Sequence, residues 1–194
     1  MSIVVITTGG TIGALPYQDP QRPPDVSSMP PKGRDLVRDA LETTFVAHNT
    51  RCISLEPRDS KLIDESYRRN LLAVVEGAAE DSVLITHGTD TILKSGEYFY
   101  QQFSNSPHRK RVILTGAMVP LANGRASDGH LNLAFSLDLL TRFTPTLTKI
   151  SIVLCDFDES GAWNPRLYPY RPNQYAKFYD SDGRYNRIRE LRVA

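Results

Sequence analysis

Two short segments rich in threonine and glycine hold the side chains that are best suited to chemistry. In TTGGTIG (residues 7–13), Gly9 and Gly10 precede Thr11, so the backbone can turn sharply and leave a hydroxyl beside free amide groups. This arrangement fits a phosphate cradle, a helix N-cap or a nucleophile. The segment is neither G-x-G-x-x-G nor a P-loop, and no lysine follows at the required spacing, which disfavours a nucleotide site.

The second segment is THGTDT (residues 86–91), at the end of an apolar run. Asp90 can accept a hydrogen bond from an ammonium group, and Thr89 offers a second hydroxyl. Asp90 could instead be a capping carboxylate at the start of the next helix. A cap needs only one short polar residue, whereas this turn contains several, and that excess favours a functional site.

Two later segments add polar turns. ILTGAMVP contains a glycine turn whose carbonyl and amide groups could line a pocket, and ASDGHLNL predicts a helix that is capped by Ser127 or Asp128. Neither His87 nor His130 has the spacing of a Ser-His-Asp arrangement, so we expect no catalytic role for either histidine.

The elements that must position these turns alternate along the chain. Five short, continuous apolar runs predict strands buried on both faces, at residues 2–7, 51–55, 82–86, 111–115 and 149–155. Stretches between them predict helices, at residues 33–45, 64–80, 91–103 and 131–143, the last of which is apolar on most sides and should be largely buried.

This alternation predicts an α/β fold: a doubly wound, mostly parallel sheet of about five strands with helices on both faces, similar to Rossmann and flavodoxin-like domains. Ligands bind to such sheets outside the carboxyl ends of the strands. We therefore expect the glycine-containing turns to line one edge of the sheet.

Composition bounds the function classes. With 194 residues, of which 40% are hydrophobic, the chain fits one globular domain over residues 1–194. A formal net charge of +1 gives no reason to expect nucleic acid or an acidic membrane surface as a partner. No apolar run approaches the roughly 20 residues of a membrane-spanning helix. Cys52 and Cys155 lack the spacing of a metal site, so we expect no metal and a reducing, cytoplasmic location.

Two segments have no clear secondary-structure pattern. Residues 16–33 contain six of the 13 prolines and predict an extended, mobile loop, either a lid over the sheet edge or a simple connection. After residue 156 the only expected element is a final short strand. The aromatic and arginine-rich residues 163–192 have the composition of an interface, which favours a homodimer or a dimer of dimers over a tail that wraps its own domain.

Taken in order, TTGGTIG, ITHGTDT, LTGAMVP and SDGHLNL resemble the signature segments of the bacterial-type L-asparaginases. The resemblance covers roughly residues 3–155. It implies an amidohydrolase that converts L-asparagine to L-aspartate and ammonia without a cofactor or a metal. Members of this family usually carry a second, C-terminal α/β domain, so this chain looks like a short, single-domain form without it.

The resemblance also implies roles for the polar side chains. Thr11 matches the nucleophile that attacks the side-chain amide and forms an acyl-enzyme. Tyr17, in the proline-rich loop, resembles the mobile tyrosine that helps to activate this nucleophile. Thr89 matches the second threonine, which would orient or activate the water for deacylation, and Asp90 matches the aspartate that would hold the α-ammonium group of the substrate.

Further matches would complete the substrate site. Asp59 and Ser60, in EPRDS, resemble a pair that grips the amino-acid end of the substrate. Gly10, Gly88 and Ala117 would supply main-chain contacts, and backbone amides near the second threonine would form the oxyanion hole.

One departure from the family leaves alternatives open. The family places a lysine after the fifth strand, whereas this chain has Arg171 at the best-matching position, and arginine cannot accept a proton as a lysine can. Lys177 could fill the role instead, and an acidic residue from a partner chain could be Asp158 or Glu159. Two other functions therefore stay open besides hydrolysis of L-asparagine. One is the same chemistry on another amide, such as glutamine, a D-amino acid amide or a peptide-linked asparagine. The other is a catalytically weak amino-acid-binding protein.

Overall fold

A six-stranded open sheet forms the centre of the computed structural model, which describes residues 2–16, 30, 33–104, 109–142, 149–157 and 162–169. The strands are β1 (Ile3–Gly9), β2 (Thr50–Arg58), β3 (Ser82–Thr86), β4 (Arg111–Thr115), β5 (Ile150–Phe157) and β6 (Trp163–Pro169). Their order is β2-β1-β3-β4-β5-β6, with parallel pairs from β2 to β5 and an antiparallel pair between β5 and β6. The predicted α/β fold is confirmed, with β6 as a sixth, antiparallel strand.

Four helices connect the parallel strands, and each overlaps one predicted stretch, although α3 ends one residue later and α4 begins two residues earlier than predicted: α1 (Leu36–Thr43), α2 (Glu65–Gly77), α3 (Ile92–Ser104) and α4 (Gly129–Thr141). Two of them begin at aspartate caps, since Asp35 accepts from the amides of Val37 and Arg38, and Asp64 accepts from the amide of Tyr67. None of the helices that the structure describes combines the length and the apolar character that a bilayer crossing requires.

The core lies in two layers, one on each face of the sheet. Helices α2 and α3 pack against one face, where β1 contributes Val4 and Ile6, and helices α1 and α4 pack against the other face, where β1 contributes Ile3 and Val5. All four side chains are at most 1% exposed. Burial of each contributes about 1.5–3 kcal/mol relative to exposure, which is why continuous apolar runs form the central strands.

Strand β2 corrects the prediction that all five apolar runs are buried on both faces. It lies at the edge of the sheet beside β1, and its residues are half-buried or exposed, with Arg51 and Ser54 among the exposed ones. An edge strand has a neighbour on one side only and is covered less completely by the helices. The apolar run alone did not reveal this position.

Helix α4 is also less buried than its apolar sequence predicts. Leu133, Leu137 and Leu140 are buried against the sheet, but Leu131 is 41% exposed. A helix in the outer layer of a doubly wound domain contacts the sheet with one side, so its remaining apolar side chains are only partly covered.

Candidate active site

The carboxyl ends of β1 and β3 form the switch point of this fold. The two strands are neighbours in the sheet, but the chain leaves β1 towards β2 on one side and leaves β3 towards β4 on the other. A crevice opens where strand order reverses in this way. The turn after β1 carries Thr11 and the turn after β3 carries Thr89, so the two predicted threonines lie at the switch point.

The turn after β1 contacts the turn after β3 through a glycine. Gly10 has a φ of 76°, which favours glycine, and a Cβ built on it would lie 2.5 Å from both the Cα and the amide nitrogen of Gly88. Any side chain at this position would push the two turns apart. Because Gly10 precedes Thr11 and Gly88 precedes Thr89, the contact brings the backbones of both threonines together.

The turn after β2 is attached to both of these turns. The amide of Gly10 donates to the carbonyl oxygen of Arg58 at 3.1 Å, and the Thr91 hydroxyl donates to the carbonyl oxygen of Ser60 at 2.7 Å. A Cβ on Gly88 would lie 2.7 Å from the Cβ and the Oγ of Ser60. The predicted pair Asp59 and Ser60 therefore lies at the same edge as the two threonines.

The turn after β4 carries Ala117 and is held by side chains at the start of α4. The Asp128 carboxylate accepts from the amides of Met118 and Val119, at 3.0 and 2.9 Å, and Asn132 donates to the carbonyl oxygen of Gly116 at 2.9 Å. Burial raises the pKa of Asp128, against the lowering effect of these amides. Together these contacts fix the main chain that was predicted to contact substrate.

The predicted cap at SDGHLNL is confirmed for one of its two candidates, Ser127, whereas Asp128 has a different role. The Asp128 side chain makes no capping bond to α4, whereas the Ser127 hydroxyl accepts from the amide of Gly129 at 3.0 Å. Ser127 is therefore the local cap. Asp128 and Asn132 instead connect helix α4 to the turn after β4, a long-range role that sequence reasoning missed.

The two threonines differ in exposure. Thr11 begins a short 3₁₀ turn (Thr11–Gly13), is half-buried, and its hydroxyl makes no hydrogen bond to any residue that the structure describes. Thr89 begins a second 3₁₀ turn (Thr89–Thr91) and is only 5% exposed. The first hydroxyl has the access that a nucleophile needs, while the second is held close to the buried end of β3.

The charged groups of the site lie on the turns after β2 and β3. The Oδ2 of Asp90 is 3.3 Å from the Nζ of Lys61, and the Asp90 side chain is 29% exposed. Asp59 accepts from the amide of Lys61 at 2.8 Å and so caps the short 3₁₀ turn Ser60–Leu62. Sequence reasoning missed Lys61; the one available signal was its place directly after the Asp59-Ser60 pair.

His87 supports the turn after β3 from inside the protein. The ring is completely buried, with Nδ1 2.8 Å from the carbonyl oxygen of Gly88 and Nε2 2.9 Å from the Oγ of Ser95, which accepts from Arg68 at 3.1 Å. These contacts are satisfied when neutral His87 donates from Nδ1 and accepts at Nε2. Burial lowers the pKa of His87 from 6.5 to about 4, so the ring is neutral at pH 7.

A cavity of about 580 Å³ lies beside the candidate site, between β1, β2 and the start of α1. Gly9 and Gly13 line it, on either side of Thr11 in the sequence, but Thr11, Thr89 and Asp90, the predicted catalytic residues that the structure describes, do not. In its wall, the Asp35 carboxylate accepts hydrogen bonds from the hydroxyls of Thr7 and Ser54. The lining also includes Thr86, so the cavity reaches the carboxyl ends of both β1 and β3, where the switch point lies.

Several predicted residues lie outside the described part of the chain. They are Tyr17, Asp158, Glu159, Arg171 and Lys177, together with most of the proline-rich loop and of the predicted interface. Within the residues that are described, no three His, Cys, Asp or Glu side chains come together as a possible metal site.

Comparison with known proteins identifies the family and the fold. A sequence profile of the asparaginase N-terminal domain matches residues 2–157. The fold is similar to the thermostable L-asparaginase of Thermococcus kodakarensis (TM-score 0.60) and to a probable cytoplasmic L-asparaginase of Campylobacter jejuni (TM-score 0.55). Each is 23% identical in sequence over 78% of this chain, which covers 43% of the other protein and so spans less than half its length. The match over residues 2–157 shows that the chain belongs to the asparaginase family.

Proposed function

We propose that this protein hydrolyses the side-chain amide of L-asparagine to L-aspartate and ammonia, with Thr11 as the nucleophile. The observation that carries the proposal is the contact of Gly10 with Gly88, which brings the turns of Thr11 and Thr89 together at the switch point of the sheet. Family membership over residues 2–157 supports the same reaction class.

In the proposed first step, the Thr11 oxygen attacks the amide carbon. The carbon–nitrogen bond breaks, the hydroxyl proton leaves with ammonia, and an aspartyl ester of Thr11 remains. Tyr17 is proposed to take part in activating the hydroxyl, as the resemblance implies. Backbone amides of the turn after β3 would stabilise the oxyanion, since preorganised donors in a buried turn are effective there.

In the second step, water attacks the ester carbon and releases L-aspartate, and the proton returns to Thr11. Thr89 would orient this water. It is suited to the task because it is buried and because Gly88, directly before it, packs closely against Gly10 and Ser60, so little reorganisation accompanies the reaction. Asp90 would hold the α-ammonium group, and Asp59 and Ser60 would contact the amino-acid end of the substrate.

The test is ammonia release from L-asparagine by the wild type, Thr11→Ala and Thr89→Val, with exposed Thr44→Ala as the control. The proposal predicts turnover by the wild type and the control, and loss of nearly all activity in the two site variants. Glutamine and D-asparagine, measured in parallel, define the amide that is preferred. A wild type that releases no ammonia, yet is stabilised against heat by asparagine, would identify an amino-acid-binding protein instead.

Two further properties are proposed from the sequence. We infer a homodimer or a dimer of dimers, which light scattering of the purified protein tests. We also infer a cytoplasmic location, in keeping with the name of the Campylobacter protein, and cell fractionation tests it.

A further inference from the structure

Lys61 occupies the place on Asp90 where a substrate ammonium group would bind. Its Nζ lies 3.3 Å from the Oδ2 of Asp90, and the Lys61 side chain is 70% exposed. In the proposed function, Asp90 receives the α-ammonium of the substrate. Substrate binding would then displace Lys61 from Asp90 and leave the lysine ammonium group available to another acceptor.

The charges around the site favour a carboxylate as that partner. Asp59 and Asp90 place two acidic groups at this edge, so the α-carboxylate of an amino acid would be repelled unless a cation lies nearby. Arg58 is already engaged, because it pairs with Glu56 at 3.0 Å and lies over the ring of Tyr67.

The backbone that carries Lys61 and Asp90 is rigid, whereas the lysine side chain is not. The close contact of Ser60 with Gly88 and the Thr91 hydrogen bond to Ser60 hold the two turns together. An exposed ion pair contributes little to stability, so its separation costs little. Lysine also carries its charge on a flexible stem with three rotatable donors, and it can swing to a new acceptor without moving the backbone.

We propose that the Lys61–Asp90 pair recognises the zwitterionic head of the substrate by exchange of partners, an inference that rests on the proposed function. The α-ammonium binds Asp90, and the α-carboxylate binds Lys61. One ion pair is replaced by two, and no charge is left without a partner. Lys61 is thereby a specificity residue for free α-amino acid amides over amides that lack the carboxylate.

The experiment measures binding without turnover, so that its outcome does not depend on catalysis. Calorimetry measures the dissociation constants of two ligands, L-asparagine and 3-aminopropanamide, which lacks the carboxylate. The parent protein is Thr11→Ala, and the variants add Lys61→Met, Lys61→Arg or Lys94→Met to it. Lys94 is the matched control, because it is an exposed lysine on α3. Lys61→Met should weaken asparagine binding about tenfold, the size expected for a charged hydrogen bond, while Lys61→Arg and Lys94→Met leave it near the parent value.

The carboxylate-free amide gives the opposite readout. With Lys61→Met, 3-aminopropanamide should bind as well as before or better, because its ammonium no longer competes with the lysine for Asp90. Asparagine binding that is unchanged or tighter in Lys61→Met would overturn the inference, as would failure of asparagine to bind the parent variant. Failure of the proposed function appears separately, as absent ammonia release by a wild type whose Thr11→Ala form still binds asparagine.

Discussion

The turns after β1 and β3 differ sharply from the turn after β2, although all three meet at one edge of the sheet. The first two approach through backbone atoms: a Cβ on Gly10 would lie 2.5 Å from Gly88, and Thr89 is buried. The turn after β2 instead presents Lys61, which is 70% exposed and paired with Asp90. The threonines that are proposed to make and break bonds lie on the tightly packed side of this edge.

This difference suggests that the packed turns and the exposed lysine have separate roles, in bond making and in substrate recognition. Bond making requires reacting atoms to be held within a fraction of an ångström, which backbone packing can provide. Recognition of a charged head group requires polar atoms that can change partners, which an exposed side chain can provide. Variants that disturb the packing between the turns, or that change charged groups, distinguish the two contributions.

The largest effect is expected from Gly10→Ala. Its Cβ would collide with Gly88, and its φ of 76° costs a non-glycine residue about 1–2 kcal/mol. We expect kcat/KM for asparagine to fall by at least about a hundredfold, because a misplacement of about 1 Å has that effect. Steady-state ammonia release measures it.

Gly33→Ala is the matched control for this prediction. Gly33 also has a positive φ, of 91°, but a Cβ there would have no atom of the described residues within 4 Å. The control shares the backbone strain and lacks the collision. Equal loss of activity in both variants would show that strain, rather than the contact between the turns, explains the effect.

Removal of Asp128 should have the next largest effect. Asp128→Ala leaves the amides of Met118 and Val119 without their acceptor, and we expect a loss on the order of 3 kcal/mol in the free energy of unfolding. Urea unfolding measures it. Asp138→Ala, at a half-exposed position on the same helix, is the control and should cost less than about 1 kcal/mol. Similar losses in Asp128→Ala and Asp138→Ala would contradict the role of Asp128 in holding the turn after β4.

His87 should make stability depend on pH. Its pKa falls from 6.5 to about 4 on folding, so the unfolded chain binds a proton between these values and the folded protein does not. The stability that this supplies is complete above pH 6.5 and is lost as the pH falls towards 4. Between about pH 7 and pH 5, the free energy of unfolding of the wild type should fall by about 2 kcal/mol more than that of His87→Asn.

Unfolding in urea at the two pH values measures this difference. His48→Asn is the control, since His48 is only half-buried and contacts Thr141 on the surface. A wild type and a His87→Asn variant with the same pH dependence would contradict the neutral, buried ring.

The smallest effect is expected at the amino ends of the strands, on the side of the sheet opposite to the candidate site. There Arg51 donates twice to Glu80, at 2.8 and 2.7 Å, and lowers the pKa of Glu80 from 4.5 to about 2. Glu80→Gln should cost about 1 kcal/mol of stability at neutral pH, because the Glu80 side chain is only 10% exposed but its partner Arg51 is half exposed, and solvent therefore screens the pair. Ammonia release should be unchanged, and a change would show that charge at this edge influences the site.

Much of the fold followed from local sequence. The five apolar runs became β1 to β5, and the helix-like stretches became α1 to α4, because continuous burial and helical periodicity leave direct marks in the order of residues. The edge position of β2 left no such mark. Which strand lies at an edge depends on pairing between segments far apart in the chain, and the apolar run RCISL looks the same in either place.

The site shows the same limit. Gly9, Gly10 and Thr11 were predicted to form a sharp turn, since consecutive glycines have few other uses there, and both glycines have positive φ. The pairing of Lys61 with Asp90 was not predicted, because it depends on the contact between Ser60 and Gly88. Ser127 or Asp128 was expected to cap α4; Ser127 does so, whereas the Asp128 carboxylate accepts from amides nine and ten residues away.

Trapping the covalent intermediate tests directly whether Thr11 is the nucleophile. The Thr89→Val variant, in which deacylation should be slow, is mixed with L-asparagine, quenched in acid, digested and examined by mass spectrometry. We expect an aspartyl ester on the peptide that contains Thr11, and no ester in the double variant that combines Thr89→Val with Thr11→Ala. Ammonia release by the wild type, together with an ester on another residue of the variant, would contradict the claim that Thr11 is the nucleophile.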